Sequence, residues 1–234
     1  MDDDNNKNNN KPSSSSGSSS KAQQVVKAGG VQAILSYMNH NNHGDNYANS
    51  NNDAVITIEK SLLILKNLAR DNDNQELIAA AGGIATIFHV ILAHAHEAKV
   101  QAYGFRALTY LANNEANQVA IASSSTSDEN DNDNNGNGNG GIATILNVMK
   151  MYVRDARVQA DACGLLWNLA KNEHNQRIIC SKGGIPAIAK AMRSHEHDAR
   201  AHSNGCFWTP GPASAFIPAR ARTMRTAANM RRST

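Results

Sequence analysis

One phrase, a Gly-Gly pair leading into a short apolar run, occurs four times and limits what this chain can fold into. The copies read GGVQAILSYM from Gly29, GGIATIFHVIL from Gly82, GGIATILNVMK from Gly140 and GGIPAIAKAMR from Gly183. A second phrase keeps step with it: LKNLA from Leu65, LTYLA from Leu108 and LWNLA from Leu166. A third follows each of these: NQELIAAAGG from Asn74, NQVAIASSS from Asn117 and NQRIICSKGG from Asn175. Three phrases in fixed order predict stacked copies of one structural unit, an architecture that more often presents a surface than a catalytic pocket.

The period is 43 residues between Asn74 and Asn117, and 43 again between Gly141 and Gly184. The longer spacings have a visible cause. Residues 39–52 are half asparagine, and residues 123–139, SSSTSDENDNDNNGNGN, contain no apolar side chain. Neither stretch buries enough surface to offset its ordering entropy, so both are expected to be disordered insertions. Closure entropy grows slowly with loop length, so such insertions cost little. Without them the period falls in the roughly 40–47 residue range of all-helical repeat units.

Each unit divides into three helices. The first is short, as in NQELIAAA, with Leu77 and Ile78 as its expected apolar contacts, and it closes at Gly-Gly because glycine tolerates the left-handed conformation. The second starts at once, with Ile84, Ile87, Phe88, Ile91 and Leu92 at helical spacing; Pro186 fits near the start of its fourth copy. The third is the longest. Asp53 is expected to cap its first copy, and Val55, Ile58, Leu62, Leu65 and Leu68 form an apolar stripe at spacings of three and four. No such helix buries its stripe alone, so neighbouring units must supply the rest of the core.

These residues resemble an armadillo repeat protein. The likeness rests on Gly82-Gly83, Val100-Gln101, Leu108 and Leu111, and more fully on Val158-Gln159 and Leu166 to Ala170, and it extends from about Lys21 to Trp208. It implies an all-α fold, a right-handed α-solenoid with units at about 21–73, 74–116, 117–174 and a broken fourth at 175–208. It also implies a concave groove lined by the third helices, where asparagines hold an extended peptide. The matching positions are Asn67 and Asn168, with Tyr110 in the middle copy. Nuclear-import adaptors of the family carry a tryptophan one turn earlier. Here those places hold Leu63, Arg106, Gly164 and Gly205, which argues against that role. Trp167 lies three positions further along, as a contact to a neighbouring helix or as a stacking platform at the groove edge.

The ends depart from the pattern. Residues 1–20 are a polar low-complexity tail with no apolar run of a secretory signal, expected to be disordered. Where the fourth Asn-Leu-Ala belongs, the chain reads Thr209-Pro210-Gly211-Pro212, then a stretch with five arginines and no acid. Residues 209–234 therefore read as an irregular basic tail, the pattern expected of a frameshift, a retained intron or a misjudged exon boundary. The whole chain carries +3 and that tail +5, so the remainder carries −2. No basic stripe follows the units, and nucleic acid is disfavoured as a partner.

The remaining polar residues carry little recognisable chemistry. Cys163, Cys180 and Cys206 lack zinc-ligand spacing, and an odd, sparse set fits a reducing compartment, cytoplasmic or nuclear. His94, His96, His195, His197 and His202 crowd two corresponding turns, but the third unit has none there. No nucleophile, phosphate loop or acid/base pair stands out. The sequence therefore predicts no enzyme activity, metal, cofactor or small-molecule substrate. No segment reaches the roughly 20 apolar residues of a membrane span. The expected role is a protein-interaction scaffold that holds an extended peptide or partner helix on Asn67, Arg106, Tyr110, Trp167 and Asn168. The alternatives are a regulatory segment of a larger kinase or ubiquitin ligase, or a fragment of a longer repeat protein.

Overall fold

The computed structural model describes residues 21–40, 51–124 and 140–195. Those residues form helices and turns, with no strand among them. The first unit supplies α1 (Lys21–Lys27), α2 (Gly30–His40) and α3 (Asn51–Leu68); the second α4 (Asn72–Ala80), α5 (Gly83–Ala93) and α6 (Ala98–Leu111). The third supplies α7 (Glu115–Ser123), α8 (Gly141–Met151) and α9 (Ala156–Leu169), and the fourth α10 (Glu173–Ser181) and α11 (Gly184–Ser194). The two tails, the insertions between 41–50 and 125–139, and the expected last helix after Asp198 lie outside the described residues.

Several helix boundaries and one apolar contact differ from the sequence reading. Helices α4, α7 and α10 begin two residues before the NQ phrase, because Asp71, Asn114 and Asn172 cap them. Asn114 Oδ1 accepts from the Asn117 amide and Asn172 Oδ1 from the Asn175 amide, each at 3.1 Å, which satisfies a donor that a helix start otherwise orphans. Helix α3 begins at Asn51, so Asp53 lies inside its first turn, where a carboxylate favours the helix dipole, rather than at its cap. Asn39, His40 and Ser123 belong to helices and not to the insertions. Ile78 is fully buried, but Leu77 is half exposed. The Gly-Gly turns also differ. Gly29, Gly82 and Gly183 adopt φ of +82°, +83° and +79°, whereas Gly140, reached from the insertion rather than from a helix end, has φ −62°.

One apolar core runs from Val26 on α1 to Ala191 on α11 without a break between units. Its largest members, Phe88 and Phe105, are fully buried, each worth on the order of 1.5–3 kcal/mol relative to exposure. Like packs beside like: α6 lies between α3 and α9, and the first helices α1, α4, α7 and α10 touch in succession. Side-chain pairs keep their order along the third helices: between α3 and α6 Glu59 meets Lys99 and Lys66 lies toward Arg106, and between α6 and α9 Arg106 meets Asp161 and Thr109 meets Asn168. Neighbouring third helices therefore run in the same direction.

The recurring polar residues brace this core. Gln101 Nε2 donates to the carbonyls of Ile91 and His94, both at 2.8 Å. Gln159 Nε2 donates to those of Met149 at 2.7 Å and Tyr152 at 2.9 Å. Each pins a third helix to the open C-terminal end of its own second helix. The asparagines of the NQ phrase work between units. Asn117 Nδ2 donates to Leu111 O at 3.1 Å and Gln75 O at 3.2 Å. Asn175 Nδ2 repeats this on Leu169 O and Gln118 O.

Candidate functional site

The five residues singled out in the sequence all lie on the third helices, but in three different environments. Asn67 is exposed near the end of α3. Trp167 is 37% exposed on α9, with the Lys171 ammonium 4.6 Å from its ring centre, a cation–π contact between residues one turn apart. Arg106 and Tyr110, one turn apart on α6, are half-buried, and Tyr110 rests its ring on the core. Asn168 is only 3% exposed. Its Nδ2 donates to Thr109 O at 2.8 Å and to Asn113 Oδ1 at 3.3 Å, so its hydrogens are committed to the preceding third helix. Its Oδ1 is buried with no hydrogen-bond partner among the described residues.

Arg106 is likewise engaged. Its guanidinium forms a fork on Asp161, with Nη2 at 2.8 Å from Oδ2 and 3.0 Å from Oδ1 and with Nε at 3.2 Å from Oδ1. A planar, two-toothed pair of this kind fixes geometry as well as charge. Asp161 is the more buried partner, its side chain 12% exposed against 30% for Arg106. The sequence offered no pointer to this pair, because its members are 55 residues apart in different copies. Toward α3, Arg106 faces Lys66. Burial first, then Arg106, then Arg70, push the Lys66 amine below its ordinary range. Lys66 thus stands as a cation beside the Arg106–Asp161 pair, next to exposed Leu63 and Ile64 on α3.

Other reactive groups lie apart from this face. The Cys163 thiol is 1% exposed, and burial pushes its pKa up to about 12, which removes it from the reactive thiolates. His94 ends α5 with its Nε2 buried and without a partner among the described residues; burial pushes its pKa down, against a smaller upward pull from Glu97. Burial likewise raises the Tyr152 phenol, whose hydroxyl donates to Ala95 O at 2.7 Å. His195 Nε2 lies 3.0 Å from Val153 O. Among the described residues no three His, Cys, Asp or Glu side chains gather as a metal-ligand set. Nor is any single helix among them long and apolar enough to cross a membrane.

Where third helices turn into first helices, two open polar depressions follow one another. One is lined by residues including Asn113, Lys171, Glu173 and Arg177, the other by residues including Asp73, Glu76 and Asn114. Both are open to solvent and lack the enclosure of a small-molecule site. Among the described residues the third-helix face offers length, with cationic, aromatic and aliphatic groups spread over three adjacent helices.

The chain is similar to Protein aardvark of Dictyostelium discoideum, 30% identical over 151 residues, which is 63% of this chain and 18% of that protein. It therefore spans under a fifth of the length of the curated relative it matches. No family model matches the chain, and no solved structure matches it.

Proposed function

We propose that the units stack as a right-handed α-solenoid of the armadillo type, and that the chain is a non-catalytic scaffold holding an extended peptide or helix of another protein along α3, α6 and α9. The observation that carries this reading is the side-by-side, same-direction run of three third helices, with one core continuous beneath them. A row of this kind gives a partner several anchor points at a fixed pitch. The anchors with exposed or half-buried side chains are Asn67, Tyr110 and Trp167, with Leu63 as an apolar contact. Arg106 and Asn168 contribute differently from the sequence expectation, since both hold α9 to α6. Their loss would move the row itself.

Peptides selected against the purified chain from a displayed library provide the test. Affinities of the selected peptides are then measured for wild type, Tyr110→Ala and Trp167→Ala, with circular dichroism as the check on folding. Burying an aromatic anchor makes a binding hot spot, so each substitution should weaken binding about tenfold or more, or about 1.4 kcal/mol. Unchanged affinity of every selected peptide for both folded variants would remove the third-helix face from consideration. A second reading, a regulatory segment within a larger protein, draws support from the much greater length of the similar protein.

A further inference from the structure

Three cations gather where α3 ends beside α6, and among the described residues one carboxylate answers them. Lys66 lies in the last turn of α3, Arg70 one turn further along the chain, and Arg106 comes toward both from α6. Lys66 is half-buried and Arg70 exposed. Among the described residues neither head group has a carboxylate partner. Asp71, beside Arg70 in the chain, turns its Oδ1 to the Asp73 amide at 3.2 Å as the cap of α4. Asp161 takes the Nε and Nη2 edge of Arg106, and Nη1 at the opposite edge has no hydrogen bond to any described residue.

Left alone, this gathering costs stability. Burial first, then Arg106 and Arg70, hold the Lys66 amine below its ordinary range, as desolvation and like charges do. The carbonyl end of α3 supplies about half a negative charge and Asp161 one more, against three positive charges, so an excess on the order of one positive charge remains. The excess is local. The whole chain carries +3 and residues 209–234 carry +5, which leaves −2 for the rest. Unanswered cations at a half-buried seam, on an array otherwise short of positive charge, mark a place that a ligand neutralises. Around them lie Leu63, 37% exposed one turn before Asn67, and Tyr110, one turn past Arg106. An anion at this seam therefore sits among groups of the row that can hold the rest of a peptide.

We propose that Lys66, Arg70 and Arg106 form an oxyanion subsite, so that the segment docked on the row is an acidic peptide that lays one carboxylate or phosphate side chain into the seam between α3 and α6. The place of the segment rests on the peptide-docking reading; its charge is what the seam adds. Ammonium and guanidinium donors that meet one oxyanion form charge-assisted hydrogen bonds, roughly twice as strong as neutral ones. Lys66 is the member to vary, because Arg106 also braces α9.

Peptides selected from a random displayed library against the full chain are the probes. The selected peptides should share an Asp or Glu. Changing that acid to its amide should weaken binding about tenfold or more. Changing it to phosphoserine separates the two sources: binding tightens where the seam is built for phosphate and weakens where it is built for a carboxylate. Lys66→Met should weaken binding of the acidic peptide about tenfold or more and leave binding of its amide version unchanged. Lys190→Met, exposed on α11, is the control and should change neither. Lys66→Met should also keep or raise the melting temperature, since it removes a repelled charge. Selected peptides without an acid, or an acidic peptide indifferent to Lys66→Met, would overturn the subsite, and the docking reading then stands if Tyr110→Ala still weakens them. Binders that need Lys66 but neither Tyr110 nor Trp167 would keep the anion site and remove docking along the row. A library that yields no binder removes both. A fall in melting temperature for Lys66→Met would assign the amine to the dipole of α3 and overturn the subsite as well.

Discussion

If the units are tied to one another by the NQ asparagines, the three copies of that residue should differ in worth by a predictable amount. Asn117 is 4% exposed and donates to two carbonyls, Leu111 O within its own turn and Gln75 O on the preceding first helix. Asn175 is 1% exposed and does the same with Leu169 O and Gln118 O. Asn74 is equally buried, but among the described residues it donates to Leu68 O alone, at 3.1 Å. The turn carbonyls Leu111 O, Leu169 O and Leu68 O each also accept a backbone amide, so deleting the side chain leaves none of them orphaned. The loss is then close to the net value of the bonds, about 1 kcal/mol each. Asn117→Ala and Asn175→Ala should each cost about 2 kcal/mol, and Asn74→Ala about 1 kcal/mol. Equilibrium urea unfolding followed by circular dichroism measures all three. The second bond of Asn117 and Asn175 crosses a unit boundary, so its removal should also loosen coupling and lower the unfolding slope relative to Asn74→Ala. Equal losses for the three substitutions would show that the inter-unit bond contributes nothing. The account of how the copies are held in register would then be wrong.

Three further outcomes follow from single contacts. At Gly141→Ala, the new methyl would run into the Ile121 carbonyl and lie 2.8 Å from the Phe88 ring. Neither can withdraw from the core, so the loss should reach about 3 kcal/mol, against about 1–2 kcal/mol for the left-handed strain alone at Gly82→Ala. Asp161→Ala leaves the half-buried Arg106 without its carboxylate; it should cost about 1–3 kcal/mol in urea unfolding, and Arg106→Leu/Asp161→Leu together should recover much of that. Site-resolved alkylation at pH 8 should leave Cys163 unmodified in the native protein, because its pKa is pushed up to about 12 and it is 1% exposed. Rapid labelling of Cys163 before global unfolding would show that α9 opens locally.

The repeat phrases made the helices legible because both of their determinants are local. Apolar spacing of three and four names the buried side, as Ile58, Leu62 and Leu65 show on α3, and glycine names the turn, as φ of +82° to +83° at Gly29 and Gly82 shows. What escaped the sequence was pairing between copies. Nothing near Arg106 announces Asp161, and nothing near Asn175 announces Gln118. The caps were readable in principle. Asn114 and Asn172 each precede the NQ asparagine by three residues, the spacing at which a side-chain oxygen reaches the N3 amide.

The candidate site was harder to read for a reason specific to repeats. A family-like position, such as the asparagine of Asn-Leu-Ala, has one identity in sequence but two physical situations in a stack, according to whether another third helix precedes it. At Asn168 the preceding helix is present, and the side chain spends its hydrogens on Thr109 and Asn113. At Asn67 no described third helix precedes, and the same side chain faces solvent. Transferring a peptide-holding role equally to both copies therefore conflates a brace with an open donor. The distinction is measurable. Asn168→Ala should lower stability by about 1–2 kcal/mol, the value of its one or two hydrogen bonds. Asn67→Ala should leave stability within about 0.5 kcal/mol, as surface substitutions do. If Asn67→Ala destabilised the chain as much as Asn168→Ala, Asn67 would be a brace too, and the distinction between the two copies would fail.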